Sequence, residues 1–207
     1  MTAGYIVTGI DTGVGKTVFA AGLAGHLGAR YWKPVQAGLA EETDSEVVRR
    51  LAGRRAQVLP ETYRLATPCS PHEAARIEGE TIVAERLVLP SGEGPLVVEG
   101  AGGVLVPLSD TLLTADRFAS WGLPAVVVAR TTLGTINHTL LTLEALKARE
   151  ITIAGVVFSG DENIASETAI TRFGAVPHLG RLPHLVPLDA ETLAAAFVSH
   201  IRTELLG

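Results

Sequence analysis

One segment constrains this chain more than any other: Gly9-Ile10-Asp11-Thr12-Gly13-Val14-Gly15-Lys16-Thr17. It follows a short apolar run, Tyr5-Ile6-Val7-Thr8, and leads into a helical pattern from Val18 to Leu27. A strand, a glycine-rich loop and a helix in that order form an anion cradle. Glycines at positive φ let successive N–H groups turn inward, and the helix start adds its partial positive charge. In such a loop Lys16 reaches the β- and γ-phosphates of a nucleotide, and the Thr17 hydroxyl meets Mg²⁺. Gly13, Val14, Gly15, Lys16, Thr17 and Val18 are therefore the expected nucleotide contacts. Five residues separate Gly9 from Gly15, one more than in the usual phosphate loop. The longer arm brings Asp11 and Thr12 towards the terminal phosphate, where a second substrate has to sit.

The rest of the chain supplies a matching frame. Pro95-Leu96-Val97-Val98-Glu99, Ala125 to Ala129 and Ile153 to Phe158 are β-branched, apolar runs with no polar face. Strands of a parallel sheet covered by helices on both sides read this way. Tyr31-Trp32-Lys33-Pro34-Val35 is a weaker strand that Pro34 should end. Helical patterns run over Asp44–Leu51, Asp110–Trp121, Thr135–Ala148 and Glu191–Leu205. The alternation predicts an α/β fold, one domain over residues 1–207, with a mostly parallel sheet flanked by helices as in P-loop NTPases.

Charge and cysteine content narrow the partners. At a net charge of -5 the chain has no general basic field for nucleic acid or an anionic membrane. Arg49-Arg50 and Arg54-Arg55 read as the solvated side of a helix. The single cysteine, Cys69, has no disulfide partner and reads as a small semi-buried thiol. No apolar run approaches the ~18 residues of a membrane span, and no secretory leader stands out. A soluble cytoplasmic protein is expected.

Polar residues at strand ends supply the remaining chemistry, since ligands in such folds sit beyond the carboxyl ends of the strands. Glu99, followed by Gly100-Ala101-Gly102-Gly103, stands where a Mg²⁺-binding carboxylate belongs, although a glutamate there can also cap a glycine turn. Lys33 faces the same crevice as a cation for a transferring phosphoryl group, unless it is simply solvated. Asp44 opens a helix, either as its N-cap or as a second metal ligand beside Glu99. Gly134-Thr135-Ile136-Asn137 starts another helix whose free N–H groups suit a carboxylate, with His138 as a packing or capping residue. No zinc spacing and no Ser/His/Asp set is present.

Together GIDTGVGKT, WKPVQAG, VVEGAGGVLVPLSD, TTLGTINHTLLTLEAL and the GVVF strand resemble the dethiobiotin synthetase family, in its order and spacing from residue 5 to about 158. The resemblance implies an ATP- and Mg²⁺-dependent cyclo-ligase of biotin synthesis that joins 7,8-diaminononanoate and CO₂ into a cyclic urea. One amine takes up CO₂ as a carbamate, whose oxygen attacks the γ-phosphate, and the second amine closes the ring on the mixed anhydride. By the family's pattern Lys16 and Lys33 stand between the two anions, with Thr12 beside them. Mg²⁺ is held by Thr17, Asp44 and Glu99. Gly100, Ala101 and Gly102 border the phosphates, Ala37 borders the diamine, and Ser159, Gly160, Leu182, Pro183 and His184 border the base. A homodimer brings Gly134, Thr135, Ile136 and Asn137 to the neighbouring subunit's substrate carboxylate. Three departures follow. Ala37 stands where the family usually has a hydroxyl. Ser159-Gly160 replaces a base-reading asparagine, which admits nucleotides such as CTP. The segment from Gly38 to Asp44 is trimmed.

Two rival classes share the loop. Partition- and nitrogenase-type switch ATPases carry an extra lysine early in it, where this chain reads Ile10-Asp11-Thr12. Cobyrinate-type amidating ligases need a glutaminase domain for which 207 residues leave no room. A non-catalytic nucleotide-binding module would bind without diamine-dependent turnover.

Overall fold

A computed structural model describes residues 4–206. The β-branched runs form strands, and the chain crosses between them through helices. In order these are β1 (Gly4–Gly9), α1 (Lys16–Leu27), β2 (Arg30–Trp32), β3 (Val35–Ala37), α2 (Asp44–Ala52), β4 (Gln57–Val58), β5 (Tyr63–Leu65) and α3 (Pro71–Glu78). The second half contains β6 (Leu96–Gly103), β7 (Pro107–Ser109), β8 (Leu112–Leu113), α4 (Thr114–Trp121), β9 (Ala125–Arg130), α5 (Thr135–Lys147), β10 (Ile153–Ser159), α6 (Ile164–Gly174), β11 (His178–Leu182) and α7 (Ala190–His200).

Seven strands make one sheet in the order β11-β10-β9-β1-β6-β2-β4, and all its pairings are parallel. Helices α1, α2 and α7 pack on one another, as do α5 and α6. Right-handed crossovers running outward from β1 in both directions put these two sets on opposite faces. Both faces are thereby covered, which is why Val97, Val98, Val126, Val127 and Val128 are all fully buried. A smaller apolar cluster, including Val35, Tyr63, Leu65, Ala74 and Leu108, lies under the β3–β5 pair and α3.

Four expectations change. The helix expected over Glu191–Leu205 runs over Ala190–His200 only, because Ile201 turns extended to bridge Gly180. The run Tyr31–Val35 is not one strand. Pro34 cannot donate to a ladder, so the chain leaves the main sheet after Trp32 and pairs Val35–Ala37 with Tyr63–Leu65. The helix expected from Asp110 starts at Thr114, because Pro107–Ser109 and Leu112–Leu113 form an antiparallel hairpin first. The strand ending at Glu99 continues to Gly103. It gains two residues against β1, since Val7 faces Glu99 while Gly9 faces Gly103.

Candidate active site

The carboxyl ends of β1, β6 and β2 are adjacent, and the polar residues singled out above meet there. The loop after β1 passes Gly13 at φ 71° and Gly15 at φ 92°. Gly15 is the N-cap of α1 and no side chain caps that helix, so its first N–H groups stay open to an anion. A Cβ on Gly15 would also come within 2.6 Å of Ser159 Oγ.

Behind the loop stands a charged cluster. Thr17 Oγ1 lies 2.7 Å from Asp44 Oδ1 and 2.8 Å from Glu99 Oε1. The Lys33 ammonium lies 2.5 Å from Asp44 Oδ2 and 3.4 Å from Glu99 Oε1, and donates to Gly100 O at 3.0 Å. Glu99 is fully buried, its carboxylate accepting from Thr17, Tyr31 and Lys33, and Lys33 at 3% exposure is not a solvated lysine. Burial pushes the Glu99 carboxyl up, with Lys33 opposing. On Lys33 burial works downward but Glu99 and Asp44 outweigh it, and its pKa is raised. Burial raises the Asp44 carboxyl while Lys33 more than offsets this, leaving it lowered. Asp44 is not the N-cap of α2. Thr43 is, accepting from Glu46 N, which frees Asp44 for the crevice.

The donor set suits Mg²⁺. One hydroxyl proton serves only one of Thr17's two carboxylate neighbours at a time, so a cation among the three oxygens relieves a crowded site. Neighbouring oxygens on an octahedral Mg²⁺ lie about 2.9 Å apart, close to the spacings here. Among the described residues no group of three or more His, Cys, Asp or Glu forms a metal cage. Two carboxylates and a hydroxyl leave the remaining positions to water and phosphate.

Lys16 is buried, and its ammonium donates to Asp11 O at 2.6 Å. Burial, with Lys33 adding, lowers its pKa to about 8. Asp11 does not point into the crevice as expected. Its carboxylate accepts from Thr12 N and from Arg130 Nη1, which pulls it towards β9.

A cleft of about 760 Å³ opens over this cluster, lined by Thr12, Gly13, Gly15, Lys16, Thr17, Val18, Lys33, Ala37, Asp44, Glu99, Ala101 and Gly102. Val14 is buried beneath the loop, and its side chain leaves no room for a Cβ on Gly9. Ser159, Gly160, Leu182, Pro183 and His184 are not part of the lining. They gather beyond Gly15, where Ser159 adjoins the loop, Gly160 N donates to Leu182 O, and His184 Nε2 comes within 3.6 Å of a Cβ built on Gly160. Gly134, Thr135, Ile136 and Asn137 do not line the cleft of their own chain either. His138 neither packs nor caps; it is exposed and shares a hydrogen bond with Arg130.

Several lining residues escape the sequence reading. Pro68-Cys69-Ser70-Pro71 forms one wall, and Cys69 is exposed rather than semi-buried. A serine followed by proline at the first turn of α3 was the available signal. Gln36 accepts from Asp44 N and donates to Ala37 O and Gly38 O, bracing the short approach to α2. Arg50, expected on a solvated helix side, lines the rim while paired with Glu42.

A seven-stranded parallel sheet with a glycine-rich loop after its central strand, and the Thr17–Asp44–Glu99–Lys33 cluster beside it, defines a P-loop NTPase. The likeness to solved structures agrees with that fold. A MinD cell division ATPase from Pyrococcus furiosus aligns at TM-score 0.58 with 15% identity, over 96% of this chain and 99% of that one. A ParA family ATPase from Chlorobium tepidum aligns at TM-score 0.57 with 10% identity, over 96% and 92%. A family described as "AAA domain" matches residues 3–192. Sequence relatives are far nearer. ATP-dependent dethiobiotin synthetase BioD of Rhodopseudomonas palustris is 60% identical over 99% of this chain and 96% of its own length. The proteins of that name from Agrobacterium fabrum and Rhizorhabdus wittichii are each 58% identical, over 97% and 95%, and over 99% and 98%, respectively. The chain belongs to the ATP-dependent dethiobiotin synthetase family.

Proposed function

We propose that the chain, as one P-loop domain over residues 1–207, catalyses ATP- and Mg²⁺-dependent ring closure of 7,8-diaminononanoate with CO₂. The products are dethiobiotin, ADP and phosphate. The observation that carries this reading is the Lys33–Asp44–Glu99–Thr17 cluster beside the Lys16 loop, in a chain 60% identical to a dethiobiotin synthetase.

The physical problem is that a carbamate and a γ-phosphate repel each other. Bound Mg²⁺ would supply charge neutralisation at the phosphates, held by Thr17, Asp44 and Glu99. Lys33 is held at the mouth of that set and can turn between its carboxylates and an incoming carbamate. Lys16 exchanges the Asp11 carbonyl for phosphate oxygen once a nucleotide enters. Thr12 lies on the diamine side with Ala37, whose missing hydroxyl leaves that contact to backbone or water. Ser159, Gly160 and Leu182–His184 border the base, and a serine there discriminates weakly, so CTP and related nucleotides are accepted beside ATP.

The dimer belongs to the same proposal. Gly134 caps α5 at φ 93° with no side-chain cap, and Thr135 N donates to Thr132 O, so the N–H groups of Ile136 and Asn137 are the ones open to a carboxylate. Leu133 is fully exposed, Leu105 and Leu141 are about half exposed, and all flank this region, which favours a second copy covering it. A cytoplasmic location fits a lone cysteine and a need for ATP. No helix among the described residues is long and apolar enough to cross a membrane.

The test uses ¹³C-bicarbonate, Mg-ATP and the diamine, with the product followed by mass spectrometry. The expected result is labelled cyclic urea. Phosphate release without labelled product would refute the assignment. Leu141→Asp should yield a monomer by light scattering and abolish turnover if the site spans two copies.

A further inference from the structure

We propose that Tyr31 is a positioning residue for Glu99, fixing which of its oxygens faces the metal side of the crevice. The inference rests on the reading of Glu99 as a Mg²⁺-facing carboxylate and adds a role that reading does not contain.

Tyr31 and Lys33 stand two residues apart at the end of β2, so their side chains leave the same face of the sheet. β2 lies beside β6 with Tyr31 opposite Val97, and Glu99 is two residues further along. Both side chains therefore lean onto the same carboxylate, and they take different oxygens. The Tyr31 hydroxyl donates to Oε2 at 2.8 Å. Oε1 accepts from Thr17 and faces the Lys33 ammonium. No other hydrogen bond reaches Oε2 among the described residues.

The split is needed because Glu99 is fully buried and water cannot solvate its second oxygen. Without Tyr31, Oε2 is an orphaned charged acceptor. Rotation about the last side-chain bond would then carry it towards Lys33 or Thr17, and Oε1 would leave its place beside Thr17 Oγ1. The hydroxyl is not required for packing. Tyr31 is itself fully buried among apolar residues, where a phenyl ring of the same shape fits. What the oxygen adds is direction, the role of an outer partner that orients a metal ligand.

The test is Tyr31→Phe with Mn²⁺ as the probe, titrated into protein saturated with ADP and read by electron paramagnetic resonance of free Mn²⁺. The Mn²⁺ dissociation constant should rise about tenfold. ADP affinity without metal should change by less than about twofold, since a single outer hydrogen bond leaves the phosphate loop untouched. The Mg²⁺ concentration giving half-maximal turnover should rise in step, with the KM for the diamine unchanged. Glu99→Gln serves as the reference variant. If it loses Mn²⁺ affinity while Tyr31→Phe binds Mn²⁺ as the wild type does, the role of Tyr31 is refuted and that of Glu99 stands. If Glu99→Gln also binds Mn²⁺ normally, the reading of Glu99 fails and the inference falls with it. Equal losses of Mn²⁺ and metal-free ADP affinity in Tyr31→Phe, with a lowered melting temperature, would overturn the proposal in favour of a purely structural tyrosine.

Discussion

Replacing Lys33 by methionine removes one positive charge from a cluster that holds two carboxylates and keeps the side-chain volume. In the wild type the ammonium is 2.5 Å from Asp44 Oδ2 and 3.4 Å from Glu99 Oε1, and it is 3% exposed. Breaking a buried ion pair by deleting one partner costs about 3–5 kcal/mol, because the other charge is left uncompensated. The Asp44 side chain is 30% exposed, so water recovers part of that loss and about 2–3 kcal/mol is expected. For a chain of 207 residues each kcal/mol moves Tm by about 2–4 °C, which gives a fall of about 4–12 °C. Metal should offset the loss. Two carboxylates without their lysine attract a divalent cation more strongly, so millimolar Mg²⁺ should restore most of the lost Tm in the variant and add less to the wild type. Turnover should fall about a hundredfold or more, since a cation at the reacting anions is gone, while ADP affinity stays within about threefold. Scanning fluorimetry with and without Mg²⁺, calorimetric ADP titration and phosphate release provide the three readings. An unchanged Tm in both conditions, or loss of ADP binding in place of a rate effect, would refute this assignment of Lys33.

Other consequences are open to direct measurement. Lys16 titrates near 8 in the free protein, its pKa lowered chiefly by burial, and phosphate favours its charged form. Nucleotide affinity should therefore hold steady below pH 7 and fall by about tenfold per unit well above 8, with proton uptake on binding near pH 8.5; affinity that rises with pH would contradict this. Gly15→Ala forces a side chain into φ 92° and within 2.6 Å of Ser159 Oγ. It should cost about 1–3 kcal/mol of stability and lower nucleotide affinity at least tenfold, measured by chemical denaturation and calorimetry. Thr17→Val keeps the shape but removes an oxygen from the cation site, so the Mg²⁺ requirement should rise about tenfold, read from the Mg²⁺ dependence of phosphate release.

What could be read from the sequence was local. The glycine loop follows the apolar run of β1, Glu99 closes the apolar part of β6 and Lys33 follows the weaker run of β2, and the carboxyl-end side of a parallel sheet faces the ligand. What escaped depends on reach between segments far apart in the chain. Tyr31 is only part of a weak strand run until β2 is placed beside β6, and Gln36 only part of the WKPVQAG motif until its amide is seen against Asp44 N. Helix α6 hid for another reason. It buries Glu167, Ile170 and Gly174 while Ile164 and Phe173 are exposed, so its apolar residues do not mark its inner face. Helix α3 buries only Pro71, Ala74 and Ala75, too small a stripe to register. The Asp11 carboxylate was drawn off by Arg130, a partner 119 residues away.

The dependence of phosphate release on the diamine tests the central claim most directly. With purified protein, Mg-ATP and bicarbonate, phosphate should be released at the full rate only when the diamine is present, one phosphate for each ring closed. Release at the same rate without the diamine would mark a switch-type ATPase and contradict the assignment of this cleft to ring closure.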